Sequence, residues 1–155
     1  MHEAGHVCAA LMCGCHPGQM EIIDGPPPYG RSSISRAQNA AAQQVIACAG
    51  YAVEVWLFKS GRVVDASGQK LTEQQFIHAS VGQHAALDKV AFFGEDRERP
   101  DKTWPCEDDR TFMALGENLV QQLPMACVES LATALLNERR LSGARILEIA
   151  RPLLP

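Results

Sequence analysis

The stretch that most constrains the fold is the alanine-rich run from Ala37 to about Lys59, AQNAAAQQVIACAGYAVEVWLFK. Its pattern predicts a helix that is apolar over much of its circumference. A helix of this kind is usually central to a domain, because no broad face of it can remain in water. We therefore expect the other elements to pack around one central helix.

The remaining patterns predict more helices and one small β element. A helix is expected over His2–Met12, ended by the Gly and Pro residues that follow it. Short strands are expected at Met20–Ile23 and Arg31–Ser35, on either side of the breaker-rich loop DGPPPYG. The stretch LTEQQFIHASVGQHAALDKVAFFG predicts a helical region with a break near Ser80. The charged stretch GEDRERPDKTWPCEDD after it predicts an exposed connection. The C-terminal part predicts helices that are separated by Pro124 and by Leu141-Ser142-Gly143. The predicted fold is mainly α, a helical bundle with a small β hairpin or flap.

Length and composition narrow the class of protein. A chain of 155 residues fits a single domain over 1–155 with a core of its own. The formal net charge of -4 argues against a nucleic-acid partner. No uninterrupted apolar run approaches the roughly 18 residues of a membrane span, and the charged and polar residues at the start do not fit a secretory signal. The six cysteines show no paired framework, which predicts reduced thiols in a cytoplasmic protein.

The motif that carries chemistry is HEAGH, at residues 2–6. His2 and His6 are four residues apart, so on a helix both imidazoles project from one face and can reach one zinc ion. Glu3 directly follows the first histidine, where its carboxylate can act on a metal-activated water as a general base. Gly5, in the helix interior, suggests close backbone approach on its face. The alternative is a chance HExxH pattern with two exposed histidines.

Three segments together resemble the protease domain of the FtsH-type ATP-dependent zinc metalloproteases. They are HEAGHVCAALMCG with the MEIID strand after it, CAGYAVEVWLF at residues 48–58, and ESLATALLNERRLSGARILEIARPLL near the C-terminus. The resemblance implies a zinc metalloendopeptidase, with His2 and His6 as zinc ligands and Glu3 as the catalytic base. It also implies a substrate that is a peptide or unfolded protein, which would dock by strand pairing around MEIID and RSSIS.

The resemblance implies a third ligand, an aspartate from a helix after the central one. Aligned without gaps on Gly82 and Leu87, that position falls on Ala86, which cannot bind a metal. Asp88 and His84 lie two residues to either side and share a helical face, so Asp88 is the predicted ligand and His84 the alternative. Asp88 on a solvated helix surface is the competing interpretation.

Glu54 matches an acidic residue of the family's central helix. A charge within an apolar helix must be paired or must face a polar site. We expect Glu54 to support a ligand rather than to bind the metal itself, with direct ligation as the alternative.

Two features depart from the family pattern. No nucleotide-binding segment or transmembrane helix precedes the motif, so an ATPase partner or a homo-oligomer would be needed to process folded substrates. The first ligand also lies in the first turn of its helix, which suggests that the front of the active-site helix is missing or that the site is weak. The alternative function is a catalytically degenerate relative that acts as an interaction or regulatory module; a hydrolase of non-peptide substrates is a third.

Overall fold

A computed structural model describes residues 1–94 and 105–154 of the chain. In this part the fold is mainly helical with one small antiparallel sheet, which confirms the predicted fold class. The elements, in chain order, are α1 (His2–Met12), β1 (Pro17–Ile23), β2 (Tyr29–Ile34), α2 (Ala40–Lys59), α3 (Glu73–Ile77), a π-helical segment (His78–His84), α4 (Ala86–Phe93), α5 (Glu107–Leu119), α6 (Met125–Glu138), β3 (Arg140–Ser142), α7 (Gly143–Ala150) and a 3₁₀ turn (Arg151–Leu153).

The central helix is α2, as the sequence predicted. It begins at Ala40 rather than Ala37 because the Asn39 side chain accepts a hydrogen bond from the Ala42 N–H at 2.9 Å and so caps the helix. Its middle is buried without interruption from Ile46 to Val53. Helix α2 packs against α1, α4 and α5. By length and composition it is also apolar enough to cross a membrane, although half of its most apolar window is buried inside the fold.

Aromatic side chains join α2, α4 and α5. Tyr51 of α2 lies 5.7 Å from Phe112 of α5, and Phe92 of α4 lies 5.5 Å from the same ring. All three residues are buried, and each buried aromatic or large aliphatic side chain contributes about 1.5–3 kcal/mol to stability. This cluster holds α4 against the central helix. Trp56 and Phe58, near the end of α2, are only half-buried.

The sheet has three strands rather than the two of the predicted hairpin. Its order is β2-β1-β3, all antiparallel, so β1 is central and β2 is an edge strand. The third strand lies in the Leu141-Ser142-Gly143 stretch that the sequence suggested as a plain helix separator. Leu141 pairs with Met20, and both side chains are fully buried beneath the sheet. The β flap is therefore fixed to the C-terminal part of the fold.

The helical region after residue 72 contains a π-helical segment where a break was expected near Ser80. Hydrogen bonds of the i→i+5 type run from His78 to His84, and α4 follows after Ala85. The predicted charged connection falls mainly in 95–104, outside the described residues, while its last residues start α5. All six cysteines are free thiols, as predicted.

Candidate metal centre

Helices α1 and α4 bring together His2, His6 and Asp88. One ligand-type atom from each of these residues lies within 4.8 Å of the others, so the group can hold a metal ion. His2 and His6 face the same way because they are one turn apart on α1. Asp88 reaches them from the first turn of α4, 82 residues further along the chain than His6. Its carboxylate does not lie on a solvated helix surface.

The spacing of the ligand atoms fits a small divalent cation. His2 Nε2 lies 3.0 Å from His6 Nε2 and 3.0 Å from Asp88 Oδ2, and His6 Nε2 lies 3.4 Å from Asp88 Oδ1. Two ligands of a tetrahedral zinc ion, each about 2.0–2.1 Å from the metal, are about 3.3 Å apart. The two imidazole nitrogens and the Asp88 carboxylate therefore lie at the spacing that one zinc ion requires of its ligands.

Hydrogen bonds on the other ring nitrogens fix which nitrogen of each histidine faces this shell. His6 Nδ1 donates to the carbonyl oxygen of Ile46 at 2.7 Å, and His2 Nδ1 donates to Glu54 Oε1 at 2.8 Å. When both imidazoles are neutral, the proton on Nδ1 leaves a lone pair on each Nε2, whereas a protonated His2 donates from Nε2 to Asp88 Oδ2 instead. Two lone pairs and a carboxylate that face one another repel unless a cation or a proton lies between them. This convergence of acceptors is the main chemical feature of the site.

The pKa shifts of His2 and Asp88 also indicate that positive charge is favoured at this group of residues. Burial alone would lower the pKa of His2, but its bonds to Asp88 and Glu54 outweigh burial and raise that pKa to about 10. Burial would raise the pKa of Asp88, yet the two histidines hold it well below its usual value. The carboxylate is therefore ionised at neutral pH, as metal ligation requires.

The central helix α2 shapes the other side of the site. A Cβ atom on Gly50 would lie 2.4 Å from His2 Nε2, so only glycine leaves room for the imidazole against α2. Gly5 of α1 shows the close approach predicted for it, since a Cβ there would lie 2.6 Å from the Ala49 carbonyl oxygen. Glu54, one turn beyond Gly50, accepts a hydrogen bond from His2 Nδ1, a contact that suits the supporting role expected for it.

The Glu54 carboxylate adds negative charge to the site, and one of its oxygens is unpaired among the described residues. Its Oε2 atom is buried and has no hydrogen-bond partner in residues 1–94 and 105–154. Hydrogen bonds between a ligating histidine and an outer carboxylate are a recurrent feature of metal sites, because they fix the ring and raise its basicity. A cation bound to His2 Nε2 would offset the negative charge of the Glu54 carboxylate, which is hydrogen-bonded to Nδ1 of the same imidazole ring.

The carboxylate of Glu3 lies beside the ligand group and points toward the sheet. Ser32 of β2 donates a hydrogen bond from Oγ to Glu3 Oε2 at 2.5 Å. A Cβ on the neighbouring Gly30 would lie 2.7 Å from Glu3 Cγ, so glycine at this strand position makes room for the glutamate. Glu3 Oε1 makes no hydrogen bond within the described residues, which leaves that oxygen available to accept a proton.

The other sequence candidates lie outside the group. His84, the alternative ligand, ends the π-helical segment as an exposed residue, and Ala86 is exposed at the start of α4. His16 and His78 are also exposed. Sequence reasoning missed Ser32 and Gly50. Gly50 carried the signal that identified Gly5, a glycine inside a helix, whereas nothing in the sequence marked Ser32.

Comparisons of the chain with protein-family models, with curated proteins and with solved structures found no match.

Proposed function

We propose that this chain is a zinc-dependent metallopeptidase domain, in which His2, His6 and Asp88 hold the metal. The convergence of two imidazole nitrogens and one carboxylate is the observation that carries the proposal. The nitrogen-rich donor set, the tetrahedral spacing and the single carboxylate suit zinc. The same donors also serve iron in oxygenases, but a glutamate next to the first ligand favours a hydrolytic role.

The bound zinc would supply Lewis-acid chemistry, since it lowers the pKa of water to about 7 and polarises a carbonyl group. Glu3 accepts the proton of the attacking water at Oε1 and returns it to the leaving amine nitrogen. Ser32 keeps Oε2 engaged and so holds the carboxylate in one orientation. Glu54 and the Ile46 carbonyl orient the two imidazoles, which keeps both Nε2 atoms toward the site.

The position of the edge strand supports a peptide as the substrate. Within residues 1–94 and 105–154, strand β2 pairs with β1 on one side only, and its residues Gly30 and Ser32 lie against Glu3. An extended polypeptide that added to the free edge of β2 would pass beside the proton-accepting group. Main-chain pairing of this kind would accept unfolded chains with little regard to sequence.

The family proposed for the chain is still that of the FtsH-type zinc proteases, on the basis of the HEAGH motif and the two helical segments. The cytoplasmic location and an ATPase or homo-oligomeric partner are proposed on the same basis. A glutamate that supports His2 and an aspartate that reaches both histidines from a later helix agree with what the resemblance implies.

The proposal is tested with purified protein loaded with zinc. We expect about one zinc per chain, and cleavage of unfolded casein that a chelator abolishes. Replacement of Glu3 by Gln should lower the rate by at least about a hundredfold, the usual contribution of a general base, and should leave zinc content unchanged. Glu21→Gln, on the same sheet but paired with Arg31, is the matched control.

Two outcomes would contradict the peptidase proposal. Zinc binding with casein hydrolysis that Glu3→Gln does not alter would mean that the residue assignment is wrong. Zinc binding without any hydrolysis would favour the non-catalytic interaction module.

A further inference from the structure

A cavity of about 490 Å³ lies between strand β2 and helix α4, and we call it the β2–α4 cavity. Glu3, His6 and Asp88 of the candidate metal centre line it, and Arg36 and Gln43 line it as well. Its volume falls in the range of typical ligand pockets. A ligand in this cavity can therefore contact the metal centre and Arg36 at the same time.

The guanidinium group of Arg36 has no partner in the protein. It is exposed and makes no ion pair or hydrogen bond with any residue of 1–94 or 105–154. The other arginine of the cavity, Arg31, is already occupied, because its Nε donates to Glu21 Oε1 at 3.0 Å. The side-chain amide of Gln43 also lacks a hydrogen-bond partner in the part of the chain that the structure describes. The donors of Arg36 and Gln43 are therefore available to a ligand.

The charges that line the cavity favour a carboxylate as this ligand. Its titratable residues are Glu3, His6, Tyr29, Arg31, Arg36 and Asp88. Both acids are held by other groups, since Ser32 donates to Glu3 at 2.5 Å and His2 lies 3.0 Å from Asp88. A zinc ion at the metal centre would add further positive charge. A ligand carboxylate would thus meet a guanidinium for which no acid of the protein competes, and the planar fork of arginine binds carboxylates with two parallel hydrogen bonds.

The position of Arg36 along the edge strand gives the distance of this carboxylate from the reacting bond. The chain stays paired just past the end of β2, because the Ser35 N–H donates to the His16 carbonyl oxygen at 2.9 Å. Arg36 comes next, and Ser32, which contacts Glu3, precedes it on the same strand. The stretch between Ser32 and Arg36 spans roughly 13 Å at about 3.3 Å per residue, and a peptide paired with β2 would advance at the same rate.

We infer that Arg36 is a specificity-determining residue that binds a carboxylate of the substrate about four residues from the bond that is cut. The carboxylate belongs to an acidic side chain or to the C-terminus of the peptide. The inference rests on the proposed peptidase function. Leu87 of α4, 82% exposed, lines the same cavity and offers an apolar contact to the residues between the carboxylate and the reacting bond.

The test uses a series of quenched fluorescent peptides. The parent peptide contains no acidic residue and has an amidated C-terminus. In the other peptides a single Glu replaces Gln at each position in turn, or the C-terminus is free. Mass spectrometry locates the cut in each peptide. With zinc-loaded wild-type protein, we expect kcat/KM to rise about fivefold when a carboxylate lies about four residues from the cut on one side, and not elsewhere. A rise with Glu identifies the side chain as the ligand, and a rise only with the free terminus identifies the C-terminus.

Variants at Arg36 decide whether this residue is responsible. Arg36→Gln should cut every peptide at the rate of the parent peptide, and Arg36→Glu should favour Lys over Glu at the sensitive position. The matched control is Arg151→Gln, which changes an exposed arginine that has no ion pair with the described residues and does not line the β2–α4 cavity. This control should keep the wild-type preference. No gain from any carboxylate in the wild-type protein, or a gain that Arg36→Gln retains, would overturn the inference.

A binding measurement separates this inference from the proposed function. The same peptides are titrated by fluorescence anisotropy into zinc-loaded Glu3→Gln, which does not need to cut them. One carboxylate position should tighten binding about fivefold, and addition of Arg36→Gln should remove that gain whereas addition of Arg151→Gln should not. If the wild-type protein cuts no peptide, the peptidase proposal fails while this titration still decides on Arg36. Binding that is the same with and without the carboxylate, absent binding included, refutes the role of Arg36.

Discussion

At the scale of single residues, the site depends on how closely α1 and α2 approach. Gly5 lies against the Ala49 carbonyl, and Gly50 lies against the His2 ring. These two contacts let the imidazole lie between the helices, where Glu54 can reach Nδ1 from one side and Asp88 can reach Nε2 from the other. The ligand geometry is thus set by small residues as much as by the ligands.

Gly50→Ala is expected to weaken zinc binding without unfolding the protein. The new Cβ would overlap the His2 ring and displace Nε2 from the ligand group. In the helix interior, however, alanine is about 0.5–1 kcal/mol more favourable than glycine, which offsets part of the strain. Zinc titration should show an affinity reduced about tenfold or more, with a melting temperature of the metal-free protein close to that of wild type.

The control for this variant is Gly25→Ala. Gly25 lies in the β1–β2 loop, where a Cβ would make only an ordinary contact of 3.6 Å with the Pro27 carbonyl oxygen. Zinc affinity should be unchanged there. Equal zinc affinity in Gly50→Ala and wild type would mean that the His2 ring does not need this space to bind the metal.

The roles of residues within α1 could be predicted from the sequence better than the roles of residues on other elements that contact α1. The i, i+4 spacing of His2 and His6 and the close approach at Gly5 follow from helix periodicity, which is local. The contact of Ser32 with Glu3 depends on how β2 crosses α1, and no local pattern reports that crossing. The Ile46 carbonyl that orients His6 is a backbone group, so any residue type could supply it and the sequence does not reveal its role.

At the scale of elements, the position of α4 decides which residue reaches the histidines. The π-helical segment before it has a wider turn than an α-helix, so the face that α4 presents cannot be found by counting residues from Gly82. A gap-free alignment pointed to Ala86, whereas the structure brings Asp88 to the histidines. The three-residue strand β3 was missed for a related reason, since its pairing with β1 joins residues 121 positions apart.

A buried ion pair anchors the start of α4. Lys89 Nζ donates to Asp109 Oδ1 of α5 at 2.8 Å and to the Val81 carbonyl oxygen at 3.0 Å. Asp109 is 1% exposed and also accepts the Cys106 N–H at 3.1 Å. Because Lys89 follows Asp88 directly, the pair fixes the rotation of α4 that directs Asp88 to the histidines. Burial would raise the pKa of Asp109, but its bonds to Lys89 and Cys106 together outweigh burial and lower it.

Asp109→Asn is expected to lower the free energy of unfolding at pH 7 by about 3 kcal/mol, because it leaves the Lys89 charge buried and unpaired. A carboxylate with a depressed folded pKa stabilises the fold above its unfolded pKa of about 3.9, and this contribution is lost as pH falls through the folded pKa. Urea unfolding of both proteins across pH 2–7 should therefore show their difference shrinking below about pH 4.

The matched control is Asp24→Asn, which breaks the ion pair of Asp24 with Arg139 at the surface. The Asp24 side chain is 89% exposed, so the loss should be within about 1 kcal/mol at any pH. If Asp109→Asn cost no more than Asp24→Asn, the pair would not anchor α4.

At the scale of the whole molecule, the site joins parts of the chain that are far apart in sequence. The candidate ligands come from α1 and α4, the carboxylate that contacts His2 Nδ1 from α2, and the residue that contacts Glu3 from β2. The sheet that carries β2 is in turn completed by β3, directly before α7. A cation at the site would therefore bind only the folded arrangement of these elements, and its binding free energy would add to the stability of the fold.

Zinc should raise the melting temperature of the wild-type protein, because unfolding separates ligands that lie 82 residues apart. Free zinc at a hundred times its Kd contributes about 2.7 kcal/mol, which corresponds to roughly 5–10 °C for a domain of this size. Asp88→Asn removes one charged ligand and should lose most of the shift, whereas His16→Asn changes an exposed histidine away from the site and should keep it. Scanning calorimetry over a zinc series measures the shift. If Asp88→Asn kept the full shift in melting temperature, zinc would be bound without Asp88 of α4, and a residue from another element would have to complete the site.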